Sequence, residues 1–242
     1  VGIENNKPDA VEAMRRVQPA NEPIEVESIE TKYPQGAEKM LIKALLDREV
    51  PSGGLPLDVG VAVFNVATLA QVGELLPLQR GLIERVITVT GPAVSNPGNF
   101  LVALGTPIRF VLEQCGCHVE EPVEVILGGP MMGVAISSLD IPITKGVTGL
   151  LVLDKATIEE RDFKEYPCIH CGKCVDACPI HLNPSRLGQL ARKREYDTMA
   201  NEFHLMDCFE CGSCSYVCPS NIPLVQRFRV AKTVIRERNA AS

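Results

Sequence analysis

Two twelve-residue runs of the same design, CIHCGKCVDACP at 168–179 and CFECGSCSYVCP at 208–219, constrain this chain more than any other feature. In each, four cysteines are separated by two, two and three residues and followed by proline. Three thiolates on so tight a loop can hold three irons of one 4Fe-4S cube, while the wider last interval carries the fourth cysteine away to the other cube. The spacing therefore assigns Cys168, Cys171, Cys174 and Cys218 to one cube and Cys208, Cys211, Cys214 and Cys178 to a second. Zinc ribbons are the bland alternative, but tetrahedral zinc gives no reason for identical intervals and the same proline to recur. His170 is not needed as a ligand, because each cube already has four cysteines. Crossed ligation forces the cubes close together, as a relay of single electrons requires.

The segment joining the runs is helical. Asn183 can cap and Pro184 can open a helix with Leu187, Leu190 and Ala191 on one face. Asn221 and Pro223 similarly precede a last helix with Leu224, Phe228, Ala231 and Ile235 in one stripe. An α-helical ferredoxin domain over 154–242 is expected. Its final helix carries Arg227, Arg229, Lys232, Arg236 and Arg238, a face expected to be solvated, with docking of an acidic donor or a membrane surface as the alternative. His170 and Lys173 flank the first run where Glu210 stands in the second, a contrast that predicts the higher potential for the first cluster.

Upstream, the pattern is that of an α/β layer followed by a small α+β module. Over 1–82 it predicts a helix from Pro8 to Val17, a strand from Ile24 to Ile29 and a helix from Ala37 to Leu46. A buried strand from Asp58 to Val66 and a helix to about Leu76 follow. Over 83–153, strands at Arg85–Thr90 and Val123–Leu127 flank a short helix opened by Thr106-Pro107, a β-grasp arrangement. Cys115 and Cys117 read as buried structural cysteines. Gly128 to Gly133 lacks the spacing of a phosphate loop and reads as a tight turn. A net charge of -6 and the absence of Trp argue against nucleic acid as a partner. No secretory signal or uninterrupted apolar span is visible, so a soluble or peripheral protein is expected. The opening Val1 suggests a fragment or a processed product.

Several blocks together resemble the C subunit of the Rnf complex, the ion-translocating ferredoxin:NAD oxidoreductase. They are GIENNKPDAVEA, TKYPQGAEKMLIKAL, REVPSGGLPLDVGVAVFNVATL, VTGPAVSNPGNFLVALGTPIR, ILGGPMMG and both cysteine runs. The resemblance implies a partial flavin/NADH-binding α/β domain at 1–82, a β-grasp domain of the soluble-ligand-binding type at 83–153 and the ferredoxin domain at 154–242. It implies FMN and NAD(H) as further cofactors, with Tyr33, Glu38 and Asn65 at the positions that line the flavin and nucleotide site in the respiratory complex I relative. Ala37 departs from that relative, which has a second glutamate there. The family's glycine-rich flavin loop is expected upstream of Val1. The implied partners are the other subunits of a membrane Rnf-type complex, on the cytoplasmic face of a bacterial membrane. A cobalamin reductase with the same relay, and a non-catalytic electron wire, are the alternatives.

Overall fold

The computed structural model describes residues 1–117, 124–160 and 164–241. In the N-terminal unit, β1 (Gly2–Glu4) pairs in parallel with β2 (Glu27–Ile29). Pro8 opens α1 (Pro8–Arg16), since a residue without an N–H loses nothing in the first turn. α2 (Glu38–Leu46) ends on Asp47 in the left-handed region. The buried aliphatic side chains here are Val11, Val26 and Ile42, whereas Leu57, Phe64, Leu69 and Leu76 are exposed.

The strand expected from Asp58 to Val66 does not form. Pro56–Val59 is a 3-10 turn ending on Gly60, and an extended segment then runs to Asn65. The Asn65 side chain caps α3 (Val66–Leu75), accepting the Ala67 N–H at 3.0 Å. Val59, Val61 and Val63 alternate as a strand should, but among the described residues no strand edge lies beside them. Without that edge, a strand's amides and carbonyls have no partners.

The middle unit is a five-stranded sheet, made of β3 (Glu84–Thr90), β4 (Gly98–Ala103), β5 (Glu124–Leu127), β6 (Val134–Ile136) and β7 (Gly149–Leu153). Its order is β4-β3-β7-β5-β6, with the first and last strands, β3 and β7, parallel at the centre and the other pairs antiparallel. This is a β-grasp. Ile87 and Val89 of β3 turn inward with Val125, Leu150 and Val152, and α4 (Ile108–Gln114) closes the core with Ile108, Val111 and Leu112. Cys115 and Cys117 are buried in the same core, and burial pushes both thiols up, which leaves them unreactive. β4, β6 and β7 went unanticipated, and Val123 lies outside the described residues.

The C-terminal unit is helical: α5 (Lys155–Glu159), α6 (Lys173–Asp176), α7 (Pro184–Lys193), α8 (Tyr196–Asn201), α9 (Ser213–Tyr216) and α10 (Leu224–Ala241). Leu187, Leu190 and Ala191 of α7 pack on Leu224, Phe228, Ala231 and Ile235 of α10. The duplication extends to the backbone. Positive φ values at His170, Gly172 and His181 recur at Glu210, Gly212 and Asn221, each offset by 40 residues (170 to 210, 172 to 212, 181 to 221).

Candidate metal centre

Two cavities divide the eight cysteines. One is lined by Cys168, Cys171, Cys174 and Cys218, the other by Cys208, Cys211, Cys214 and Cys178. Each takes three thiols from one run and the fourth from the other. Hydrogen bonds explain the exchange at the first cavity. The Tyr166 N–H donates to the Ser220 carbonyl at 2.9 Å, and the Ser220 hydroxyl donates to the Pro167 carbonyl at 2.9 Å. Arg227 adds an ion pair to Glu165 at 2.5 Å. These contacts lay the segment entering Cys168 against the turn leaving Cys218.

The thiols ring their cavities instead of converging on a point. Among the described residues, no three His, Cys, Asp or Glu side chains are gathered closely enough to hold one metal ion. A single zinc needs that convergence, whereas a cube takes thiolates at separated corners. As free thiols the donors are costly to ionise. Burial, with repulsion from Cys208, Cys211 and Cys178, pushes Cys214 up to about 12. Burial also raises Cys208 and Cys174, and the thiols sharing each cavity add to the rise. The charge of bound iron offsets this cost, so loading releases protons. The donor set therefore fits a 4Fe-4S cube in each cavity.

The two cavities differ in exposure. Cys168 and Cys171 are exposed, whereas Cys214 is buried and its neighbours are partly so. The second run is covered from several sides. The Tyr33 hydroxyl donates to the Cys211 carbonyl at 2.5 Å, and Asp207 accepts from Ser52 Oγ and from the Gly53 N–H. Burial, then the nearby Cys211, raises the Tyr33 pKa.

Part of the final helix departs from the solvated basic face that its composition suggested, while Arg236 and Arg238 are exposed as expected. Arg227 pairs with Glu165, and Arg229 and Lys232 both pair with Glu210, at 3.1 Å each. Lys232 is only 4% exposed, and its ammonium also donates to the Cys208 carbonyl. Arg229 reaches the Met132 carbonyl at 3.1 Å, tying the second run to the β-grasp unit. The apolar stripe of α10 lies where its periodicity placed it, but three of its five cations, Arg227, Arg229 and Lys232, are drawn to carboxylates on other segments.

Two cations on one carboxylate leave a surplus positive charge beside the second run, which removes the basis for expecting the first cluster to have the higher potential. Lys232→Met is expected to lower the second cluster's midpoint and leave the first unmoved. A unit charge roughly 8 Å away in an effective dielectric of about 20 is worth about 2 kcal/mol, on the order of 80 mV for one electron. An EPR-monitored redox titration reads both midpoints.

Tyr33, Glu38 and Asn65 do not share the lining of one described cavity. Tyr33 lines a cavity of about 740 Å³ with Met40, Met131, Cys178 and Ser213, but Glu38 and Asn65 lie outside its lining. Asn65 already uses its side-chain oxygen to cap α3.

Comparison with known proteins agrees with this geometry. Residues 1–74 match the Nuo51 FMN-binding domain family, residues 86–135 the SLBB domain and residues 167–222 the 4Fe-4S dicluster domain. The chain thus joins a segment that matches a 4Fe-4S dicluster domain to segments that match an SLBB domain and an FMN-binding domain. It is 51% identical, over 96% of its length, to the C subunit of the proton-translocating ferredoxin:NAD(+) oxidoreductase complex of Clostridium ljungdahlii. To the Na(+)-translocating counterpart of Acetobacterium woodii it is 47% identical over 97%. To the C subunit of the ion-translocating oxidoreductase complex of Rhodobacter capsulatus it is 42% identical over 99%. The chain is a homologue of the C subunits of these Rnf complexes, and it spans about half the length of the relatives it matches: 50%, 52% and 46% respectively.

Proposed function

We propose that this chain is the two-cluster relay of an ion-translocating ferredoxin:NAD oxidoreductase complex. The observation that carries this reading is the exchange of the fourth cysteine between the two cavities. Each 4Fe-4S cube, when bound, takes up and returns one electron. The chain's own residues set the conditions for that exchange. Cys168, Cys171, Cys174 and Cys218 hold one cube at the surface, while Cys208, Cys211, Cys214 and Cys178 hold the other inside. Lys232 and Arg229 place positive charge beside the inner one, and the Tyr33 hydroxyl donates to the Cys211 carbonyl next to it.

Tyr33 belongs to the unit that matches the FMN-binding family, so the inner cluster is the one facing the flavin end. FMN and NAD(H) are proposed as cofactors of the full-length protein, with Tyr33, Glu38 and Asn65 contributing. Among the described residues no helix is long and apolar enough to cross a membrane. Peripheral attachment to the cytoplasmic face, through other subunits of the complex, is proposed accordingly.

Iron and acid-labile sulfide analysis of anaerobically purified protein, with EPR after dithionite reduction, tests the reading. About eight irons and eight sulfides per chain, with the spectrum of two interacting cubes, is the expected result. Zinc in place of iron, or about four irons, would overturn it.

A further inference from the structure

We propose that the 128–133 turn of the β-grasp unit is a positioning element of the relay, and that Met131 within it sets the potential of the second cluster by seating on Gly212. On the cluster reading above, which this extends, Met131 is the residue through which a neighbouring unit acts on one cube and not on the other.

The duplicated runs supply their own comparison. Gly172 and Gly212 hold the same place, between the second and third cysteines, with nearly equal φ of +79 and +84. A Cβ on Gly172 would meet nothing within 4 Å. On Gly212 it would lie 2.7 Å from the Met131 carbonyl oxygen and 3.7 Å from Met131 Cε. Glycine at 212 is therefore what lets the turn come down on the loop. The seat is local, since Tyr216 a few residues on is 79% exposed.

The turn is built to hold that position. It joins β5 to β6, which pair antiparallel. Gly128 has φ +100 and its N–H donates to the Gly149 carbonyl at 2.8 Å. The Gly133 N–H donates to the Gly129 carbonyl at 2.8 Å, and a Cβ on Gly133 would lie 2.6 Å from that same oxygen. Arg229 provides a second tie. It donates to the Met132 carbonyl at 3.1 Å and pairs with Glu210 of the second run at 3.1 Å. The first run has His170 where Glu210 stands.

A cube gains one negative charge on reduction. The Met131 carbonyl turns its oxygen, the negative end of its dipole, toward the loop between Cys211 and Cys214, which disfavours the reduced form. The Met131 side chain lies over the same loop and lines the cavity that reaches Cys178 and Ser213. An apolar side chain stabilises the reduced cube less than water would. Both effects lower the second cluster's potential, against the pull of Lys232 and Arg229. The alternative is a plain tether between units, which predicts lost stability or iron with the midpoint unmoved.

The test is an EPR-monitored redox titration of the iron-loaded chain, with iron content measured on the same samples. The midpoint that disappears in Cys211→Ser belongs to the second cluster under any pairing of the ligands. Gly212→Ala, which pushes the turn off the loop, is expected to favour reduction of that cluster about tenfold, about 59 mV upward for one electron. Met131→Ala keeps the carbonyl and is expected to shift it the same way by less, about threefold, while Met131→Leu restores the parent value. Gly172→Ala carries the same backbone strain without the contact and is expected to leave the second midpoint in place. An unmoved or lowered second midpoint in Gly212→Ala overturns the proposal, as does an equal shift in Gly172→Ala. If Gly212→Ala retains no second cube, the Met131 pair decides, and equal midpoints in Met131→Ala and Met131→Leu overturn the proposal. Two full cubes with unmoved midpoints defeat the role of Met131 alone, whereas a parent chain without cubes defeats the cluster reading as well.

Discussion

Replacing Cys218 with Ser is expected to remove the cube at the Cys168 loop, although Cys218 belongs to the other run. Cys218 shares its cavity with Cys168, Cys171 and Cys174. It is held there by the Ser220 bonds to Tyr166 and Pro167 and by the Arg227–Glu165 pair. A serine oxygen is a harder and far less acidic donor than a thiolate, so the corner it leaves is weakly held. Iron should fall from about eight to about four per chain, with loss of the spin–spin interaction that two neighbouring reduced cubes impose on the EPR spectrum. Cys178→Ser should do the reciprocal, removing the cube at the Cys208 loop. The two single-cluster species should then differ in midpoint potential, and Lys232→Met should shift only the Cys218→Ser species. If each run instead supplied all four of its own ligands, Cys218→Ser would empty the inner cavity, and the Lys232 effect would vanish with it.

Gly91→Ala is expected to unfold the β-grasp unit while leaving the cysteine runs chemically intact. Gly91 follows β3 with φ +125, and a Cβ there would lie 2.0 Å from the Val152 carbonyl oxygen. That carbonyl belongs to β7, the strand paired with β3 at the centre of the sheet. Strain of this backbone region costs about 1–3 kcal/mol by itself, and the clash with a central strand adds to it. A total of at least about 3 kcal/mol is a large share of what a single small domain has. For a unit of this size that corresponds to a fall in Tm of roughly 12–24 °C, measurable by differential scanning calorimetry. Gly105→Ala makes the control, since its Cβ would meet nothing within 4 Å although its φ is also positive at +94. It should cost clearly less. Because Met131 and Met132 lie on this unit, a secondary loss of protection at the inner cluster is expected in Gly91→Ala.

How far the molecule was legible in advance varied by region. Around the cysteines the sequence was explicit, because ligand spacing is a local property: two intervening residues fix how thiols fan out from a loop. α7 and α10 were equally legible, since Leu187, Leu190, Phe228 and Ile235 fall on stripes that only a helix can align. In the β-grasp, β3 showed its alternation, but β6 is three residues long and β7 reads GLLVL with hardly a polar break. Neither carries enough period to be recognised. The stretch from Asp58 to Val66 failed for the opposite reason: it has the alternation of a strand without a neighbouring edge to satisfy it.

The charges on α10 show most clearly what sequence leaves open. Five cations on a helix suggest a basic surface, yet Lys232 is buried against Glu210 and the Cys208 carbonyl, and Arg229 spans to Met132. Whether a charge faces water or a carboxylate depends on which elements lie across from it, and those are tens or hundreds of residues away along the chain. By itself the sequence determined the spacing of the eight cysteines and the helical class of the domain that carries them, since these follow from short-range intervals. Only the tertiary structure decided that Cys168 and Cys171 are exposed while Cys214 is buried, and that both other units reach the second run. Exposure and electrostatic environment are sums over every neighbour that folding brings near, and no local interval encodes them.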